Sequence, residues 1–197
     1  MSSNRVGNET KRRLCEALKK KMAKKPLEKI TVKEIVEDCG MNRQTFYYHF
    51  DDIYDQVRWM YERELFDPLK KRATAETWQD MMLELLQYVE KNKSVTRSAI
   101  ISFSREQLRS FFYENVRDIS VKIITSFKNE IENDAAYELP KEYEEMIVYY
   151  IMVSFVGLAD SWARGELNKK PEEIVAFAET IVNDLLCGAV IRLRGLN

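Results

Sequence analysis

The amino-acid sequence predicts an all-α protein. Only 6 Gly and 4 Pro occur among 197 residues, and 45% of the residues are hydrophobic, which is typical of ordered helical proteins rather than of turn-rich β-sheet proteins. Apolar residues recur every three or four positions along most of the chain, and no segment alternates as a half-buried strand does. The length is sufficient for one or two domains with a substantial core.

The first helix is expected over residues 10–24. Leu14, Leu18 and Met22 recur there at helical spacing among several lysines. The helix should end before Pro26, because the residue that precedes a proline avoids the helical conformation.

The second helix has clear signals at both of its ends. Thr31 and Glu34 stand three residues apart and form a capping box, in which each side chain bonds the backbone N–H of the other residue. Ile35 and Val36 supply its apolar face, and Gly40 is a natural helix stop. We therefore expect about two turns of helix between the capping box and the glycine.

Two more helices are expected between Gly40 and Pro68. Asn42 is a good N-cap for a short helix over residues 43–50, which places Phe46 and Phe50 on one face. A longer helix then opens at Asp51 and Asp52 and should end at Pro68.

The rest of the chain is expected to form five more helices. The last two begin with a proline followed by acidic residues, and Gly165 and Gly195 mark their ends, as helix starts and stops prefer. The expected ranges are 78–91, 95–103, 107–132, 140–164 and 171–194.

Several classes of protein are excluded by the composition. No apolar run approaches the roughly 20 residues needed to cross a bilayer, and residues 1–11 lack the apolar core of a signal peptide. We therefore expect a cytoplasmic protein without a membrane partner. Cys15, Cys39 and Cys187 are odd in number and only one histidine is present, so that we predict buried thiols, no disulfide framework, no metal site and no cofactor.

The charge is distributed unevenly. Residues 1–50 carry 12 Lys and Arg against 6 Asp and Glu, whereas residues 51–197 carry 19 against 26. A basic N-terminal module on an acidic body is suited to a polyanionic partner. The alternative is that the lysines only solvate helix faces.

The second and third expected helices form a helix-turn-helix pattern. A small residue, a turning glycine and an apolar residue stand between them, and the second helix of such a motif enters the major groove of DNA. Arg43 and Gln44 stand at its tip, and these side chains can pair with guanine and adenine edges. Donors suited to phosphates follow at Thr45, Tyr47, Tyr48 and His49. The alternatives are that the tyrosines pack against the core and that the histidine is catalytic, although no partner for catalysis is placed near it.

The segment from Ile30 to Phe50 resembles the DNA-binding domain of the tetracycline-repressor (TetR) family, and the helical remainder has the expected length. The resemblance implies a DNA-binding domain over residues 1–52 and an effector-binding and dimerisation domain over residues 53–197. It also implies phosphate contacts at Thr31, Lys33, Thr45, Tyr47 and His49, and base contacts near Arg43, Gln44 and Tyr48.

One position departs from the family pattern. Many members carry a lysine where this chain has Ile53, so that phosphate binding would depend more on Lys33, Arg5, Lys11 and Arg12. A further likeness, in residues 43–50 and 88–93, is to the subgroup that contains activators of dihydroxyacetone-kinase operons.

The last two helices are predicted to form a dimer interface. Small and apolar residues share a face on each helix, which lets another helix approach closely. The resemblance implies a homodimer, and a twofold protein should bind a palindromic double-stranded DNA operator. The alternative is that both faces close the core of one subunit. The interface residues are Tyr150, Ser154, Gly157 and Ser161 on one helix, and Phe177, Ile181, Leu185 and Gly188 on the other.

The sequence predicts a regulator rather than an enzyme, because no nucleophile, metal or phosphate motif occurs. Its effector is expected to be a small apolar or neutral molecule, and the alternative is a co-regulator whose body binds a partner protein. Large apolar side chains suit either a ligand cavity or a solid core. The residues that could line a pocket are Trp78, Met82, Phe103, Phe111, Tyr149 and Trp162.

Overall fold

The computed structural model describes the backbone of residues 2–134 and 141–193 and most of their side chains. Within these ranges the regular elements are helical and no strand occurs, so that the all-α prediction is confirmed. The N-terminal helices, in chain order, are α1 (Ser2–Met22), α2 (Val32–Asp38), α3 (Arg43–His49), α4 (Ile53–Tyr61) and α5 (Asp67–Lys70). The later ones are α6 (Trp78–Lys91), α7 (Lys93–Ser102), α8 (Arg105–Asp134), α9 (Lys141–Ala163) and α10 (Pro171–Leu193).

The first helix is longer than expected. It begins at Ser2 rather than at Thr10, and Leu14 is the first of its described side chains that is buried. Apolar periodicity could not predict the earlier turns, because none of the side chains of residues 6–13 is buried in the core. A short 3-10 turn, Leu27–Lys29, also follows Pro26 without having been predicted.

The fourth helix does not end at Pro68, which corrects the expectation. It continues through a π turn, Glu62–Phe66, into α5. A proline inside an α-helix lacks one N–H, and its ring clashes with the carbonyl group four residues earlier. Here that carbonyl belongs to Glu64, inside the wider π turn, which lets the chain pass the proline without breaking the helix.

The first of two compact units comprises Met1–Asp67 and Asn92–Phe111. Helix α1 packs against α2, α3 and α4, and α7 joins them through buried polar contacts. The backbone N–H of Leu27 donates to Oγ of Ser98 at 3.0 Å, and the hydroxyl of Tyr61 donates to Oγ1 of Thr96 at 3.2 Å. The largest fully buried side chains of this unit are Leu14, Leu18, Ile35, Phe46, Gln56, Val57, Met60 and Phe66.

This compact unit extends beyond the helix-turn-helix. The expected division into domains between residues 52 and 53 stays a prediction. The structure adds that α4 and α7 belong to the same core as the first three helices.

The second compact unit comprises Pro68–Lys91 and Phe112–Asn197. In it α6 packs against α9 and α10. Leu86 of α6 meets Ile174 and Val175 of α10 in a buried cluster. The partly buried residues around this cluster are Met82, Leu83, Leu85, Leu158 and Trp162.

Helix α9 corrects the expectation that no apolar run approaches membrane length. Its stretch Glu145–Ala163 is long and apolar enough to cross a bilayer, by length and composition alone, and only 11% of it is buried. Ser154, Gly157 and two tyrosines interrupt its aliphatic residues without adding charge. The stretch therefore presents an exposed apolar face.

Candidate nucleic-acid interface

A sharp turn joins α2 to α3. Gly40 adopts a φ of 63°, in the left-handed region that glycine enters without steric cost. The backbone N–H of Met41 then bonds the carbonyl oxygen of Val36 at 2.8 Å. The turn predicted at Gly40 is therefore present, and it is closed by backbone hydrogen bonds.

Both helices of the motif begin with side-chain caps. Oγ1 of Thr31 accepts the N–H of Glu34 at 3.3 Å, and the Glu34 carboxylate accepts the N–H of Thr31 at 2.9 Å. Oδ1 of Asn42 accepts both the N–H and the hydroxyl of Thr45, at 2.8 and 3.1 Å. The capping box and the Asn42 cap therefore form as predicted.

The caps use the hydroxyl groups of the two threonines that were expected to contact phosphate. The hydroxyl of Thr31 donates to Glu34 at 3.0 Å, and that of Thr45 donates to Asn42. Either hydroxyl would have to turn away from its cap to donate to a phosphate. Their phosphate contacts stay predictions.

The outward face of α3 carries the predicted DNA-reading residues. Arg43 and Gln44 are exposed at its N-terminal end, and Tyr48 is 84% exposed. Phe46, by contrast, is fully buried against the core. The helix therefore presents polar and aromatic side chains to solvent along its whole length, while its other face anchors it.

His49 is half-buried at the end of α3. Its ring lies 5.0 Å from that of Tyr48 in an edge-to-face arrangement. Burial lowers the pKa of His49 below its ordinary value, and the positive charge of Lys11 lowers it further. The lowered pKa favours the neutral imidazole, which keeps one N–H that can donate to a phosphate.

The lysines expected to bind phosphate differ in their surroundings. Lys33 is exposed, and its Nζ lies 3.7 Å from Oε1 of Glu37 in a weak ion pair. Nζ of Lys11 lies over the rings of Phe50 and Trp59, 5.1 and 5.4 Å from their centroids. Lys33 is therefore the more accessible of these two cations.

Arg13 of α1 forms a hydrogen bond to the turn between α2 and α3. Nη2 of Arg13 donates to the carbonyl oxygen of Cys39 at 2.7 Å. Sequence reasoning missed this contact, because the two residues are 26 positions apart and nothing local signals it. Cys39, which was predicted to be a buried thiol, is only half-buried at this exposed turn.

The other two cysteines are Cys15 and Cys187. Cys15 is buried as predicted, and burial raises the pKa of its thiol to about 12. The side chain of Cys187 lies outside the described residues. Among the residues that the structure describes, no group of three or more His, Cys, Asp and Glu side chains could hold a metal ion.

The predicted pocket residues are divided between the two compact units. Phe103 and Phe111 belong to the first unit, where their rings meet those of Tyr54 and Phe66 at 5.1 and 5.7 Å. The structure therefore does not place these two residues in the second unit with the others.

The remaining pocket residues lie in the second unit, in different surroundings. Trp78 is buried against Phe155, whereas Met82 and Trp162 border the cluster around Leu86. Tyr149 is 48% exposed on the outward side of α9. The structure thus does not bring Tyr149 into the interior with the other three.

The predicted interface residues of α9 and α10 lie mostly at the surface. On α9, Tyr150 is 60% exposed, Ser154 and Gly157 are exposed, and Ser161 is half-buried. On α10, the exposed residues are Phe177, Ile181 and Leu185, whereas Gly188 is half-buried.

The turn, the caps and the outward face of α3 define a helix-turn-helix protein that binds DNA. Residues 14–55 match the family described as bacterial regulatory proteins, tetR family, and residues 76–184 match a transcriptional regulator C-terminal region. The chain belongs to the tetR family and is a DNA-binding transcriptional regulator. Both the resemblance seen in the sequence and the expected N-terminal helix-turn-helix with a larger helical body are confirmed.

Two comparisons concern single proteins. The HTH-type dhaKLM operon transcriptional activator DhaS of Lactococcus lactis subsp. lactis is 26% identical over 84 residues, which are 43% of this chain and 45% of the relative. The matched region is thus under half of the relative's length. The solved structure of a dihydroxyacetone kinase operon activator DhaS superposes with a TM-score of 0.69 at 21% identity, over 93% of this chain and 97% of that one. This second likeness shows a shared fold.

Proposed function

We propose that the protein is a cytoplasmic, non-enzymatic regulator that binds a palindromic operator as a homodimer. Residues 1–52 read the DNA, and residues 53–197 dimerise and receive an effector. The residues proposed to contact DNA are Thr31, Lys33, Arg43, Gln44, Thr45, Tyr47, Tyr48 and His49.

The exposed apolar face of α9 and α10 is the observation that carries this proposal. Of the twelve large apolar side chains that the described residues expose, eight lie on these two helices. Exposed apolar surface of this extent marks an interface in a soluble protein. The eight are Met146, Ile147, Tyr149, Tyr150, Val153, Phe177, Ile181 and Leu185.

A second copy of the chain is the proposed occupant of this face. A twofold interface uses the same surface on both subunits, so that helices with exposed apolar side chains can pair with their own copies. Such a dimer presents two recognition helices related by twofold symmetry. Its operator would then contain two inverted half-sites about 34 to 36 Å apart, or a multiple of that distance.

Substitution of Gly157 by leucine tests the dimer. A Cβ added at Gly157 meets no heavy atom within 4 Å, so that the substitution should not disturb the isolated subunit. In a close helix contact between subunits, the leucine would overpack at a cost of roughly 1 to 3 kcal/mol. We expect sedimentation to show monomers and operator binding to weaken with the loss of the dimer.

The matched control adds a leucine elsewhere on the surface. Thr125→Leu places it at an exposed position of α8 and should leave both the dimer and DNA binding unchanged. A Gly157→Leu protein that remains dimeric and binds the operator normally would remove Gly157 from the interface.

The effector is proposed to be a small apolar or neutral molecule bound by the helical body. The apolar surroundings of Met82 and Trp162 beside the Leu86 cluster support this choice. An effector acts by binding more tightly to one arrangement of the two DNA-reading heads than to the other.

A partner protein is the second candidate effector. The relative with 26% identity is a transcriptional activator, and an activator of transcription often works by recruiting another protein to the operator. The partner protein would then bind the part of the exposed apolar face of α9 and α10 that the second subunit leaves uncovered.

Thermal melting and affinity capture separate the two effectors. A small molecule that binds only the folded body raises the melting temperature by mass action. A metabolite that stabilises the protein and weakens or strengthens operator binding supports the first candidate. A stoichiometric partner protein that changes operator binding, in the absence of any stabilising metabolite, supports the second.

A further inference from the structure

Aromatic rings surround the end of the recognition helix. Phe50 is the C-cap of α3 and is buried. Its ring lies 5.8 Å from that of Phe46 on α3 and 6.0 Å from that of Trp59 on α4. Because Phe50 directly follows His49, these ring contacts fix where α3 ends relative to α4.

Two cationic side chains lie over the indole ring of Trp59. Nζ of Lys11 stands 5.4 Å from the indole centroid and 5.1 Å from the centroid of Phe50, so that both rings share one ammonium group. The guanidinium carbon of Arg63, in the π turn, stands 5.8 Å from the indole centroid, and Asp67 holds the same guanidinium at 3.0 Å. A cation within about 6 Å of a ring centroid is attracted by the negative face of the ring. We call Lys11, Phe50, Trp59 and Arg63 the ring cluster, which joins α1 to the ends of α3 and α4.

Lys11 is engaged inside the protein rather than extended into solvent. Its side chain is half-buried, and its positive charge contributes to the lowered pKa of His49, which agrees with a position near the end of α3. To bind a phosphate, the ammonium group would have to leave both rings and lose both attractions. Lys33, by contrast, is exposed on α2 and lies in a weak ion pair.

We propose that Lys11 and Trp59 are positioning residues for DNA recognition, in which the shared ammonium group holds the end of α3 against α1 and α4 and does not bind a phosphate. This assignment rests on the proposed reading of DNA by α3. It replaces the expectation that Lys11 compensates for the absence of a lysine at Ile53. Since paired base contacts need close geometry and backbone attraction does not, the ring cluster contributes to sequence preference.

Lys11→Met tests the role of the ammonium group, because it removes the charge and keeps an apolar stem. The full-length protein is titrated with a cognate operator duplex, selected from a random pool, and with a scrambled duplex. We expect about a fivefold loss of affinity for the cognate duplex, the scale of one partly buried cation–π attraction, and little loss for the scrambled one. The salt dependence should stay unchanged, whereas loss of a phosphate contact would lower its slope by about 0.9.

A double-mutant cycle with Trp59→Leu tests whether Lys11 acts through the indole ring. If it does, Lys11→Met should weaken cognate binding by less than about twofold in the Trp59→Leu background, because the effects of interacting residues do not add. Trp59→Phe keeps a ring face at this position and should restore the sensitivity to Lys11→Met. The same cycle measured by urea denaturation without DNA should show coupling between the two residues.

Two control variants calibrate the titrations. Lys24→Met removes one charge from an exposed lysine just beyond the C-terminal end of α1 and should leave the preference for the cognate duplex unchanged. Lys33→Ala shows the change in salt slope that a phosphate contact produces. Melting curves ensure that every variant is folded at the temperature of the titration.

The outcomes separate this assignment from the proposed function. Equal losses of Lys11→Met on both duplexes, with a salt slope lower by about 0.9, would assign Lys11 to a phosphate and overturn the positioning role. Equal losses in the wild-type and Trp59→Leu backgrounds, or no loss at all, would overturn it as well. The proposed function would survive each of these results, and only a wild type that prefers no operator would overturn that function.

Discussion

Arg13 and Cys39 bond each other in both directions. The Arg13 guanidinium donates to the carbonyl oxygen of Cys39 at 2.7 Å, and the Cys39 thiol donates to the carbonyl oxygen of Arg13 at 3.3 Å. Because Cys39 immediately precedes the turning glycine, these bonds fix the end of α2 to the middle of α1. The direction in which α3 leaves the turn therefore depends on α1.

Replacement of Arg13 by alanine should loosen the turn. A hydrogen bond from a charged donor contributes about 1.5 to 3 kcal/mol, and exposure of this one favours the low end. We expect a lower melting temperature and weaker DNA binding. Arg12→Ala, at the exposed neighbouring position, is the control for the melting temperature only, because Arg12 is itself an expected phosphate contact. Equal melting temperatures of the two variants would show that the bond contributes no stability.

Gly40→Ala should destabilise the protein through the backbone alone. No heavy atom lies within 4 Å of an added Cβ, but the φ of 63° is unfavourable for alanine by roughly 1 to 2 kcal/mol. Gly40→Asn should cost less, because asparagine tolerates the left-handed region. Urea denaturation measures both, and an alanine variant as stable as the wild type would contradict the strain.

Glu34 should make stability depend on pH in the acid range. The Lys25 ammonium at 2.6 Å, followed by the N–H and hydroxyl of Thr31, lowers the pKa of Glu34 from 4.5 to about 2. Since the folded state holds the carboxylate in its charged form, this contribution is complete above pH 4.5 and is lost as the pH falls towards 2.

Glu34→Gln removes the titrating group and tests this assignment. Its melting temperature should fall less steeply than that of the wild type between pH 5 and pH 2.5, and it should be lower at pH 7, where the wild-type carboxylate is charged. Parallel curves for the two proteins across this range would assign the acid sensitivity to other carboxylates.

Two substitutions should separate base reading from phosphate binding. Arg43→Ala removes a side chain at the exposed tip of α3 and should cost about 1 to 3 kcal/mol at the cognate operator, with little effect on scrambled DNA. Lys33→Ala should weaken binding to both DNAs and lower the salt slope by about one unit.

Competition titrations at several salt concentrations decide between these roles. The weak pair of Lys33 with Glu37 leaves the lysine free to approach a phosphate. An Arg43→Ala protein that retains the full preference for cognate over scrambled DNA would show that Arg43 does not read bases.

The sequence by itself determined the features that depend on neighbours three or four residues apart. Thr31 and Glu34 form the predicted capping box, Asn42 caps α3, and Gly40 turns the chain. Helix α6 spans Trp78–Lys91 as expected. Such bonds close within one helical turn, so that the residue types and their spacing are sufficient to predict them.

Only the tertiary structure decided the contacts between distant segments. The bond between Arg13 and Cys39, the approach of Gly7 to His49 and the polar contacts of α7 with Leu27 and Tyr61 join residues from different helices. Their partners depend on how helices cross and rotate against each other, and periodicity along a single helix does not fix this.

The same reason explains the two helix ends that were predicted wrongly. Helix α1 begins at Ser2 although none of the side chains of residues 6–13 is buried, and α4 passes Pro68 by way of a π turn. It also explains Tyr149, which lies at the surface although its residue type suits an interior. A residue's type sets what it can contact, but the packing of whole helices decides which of those contacts it makes.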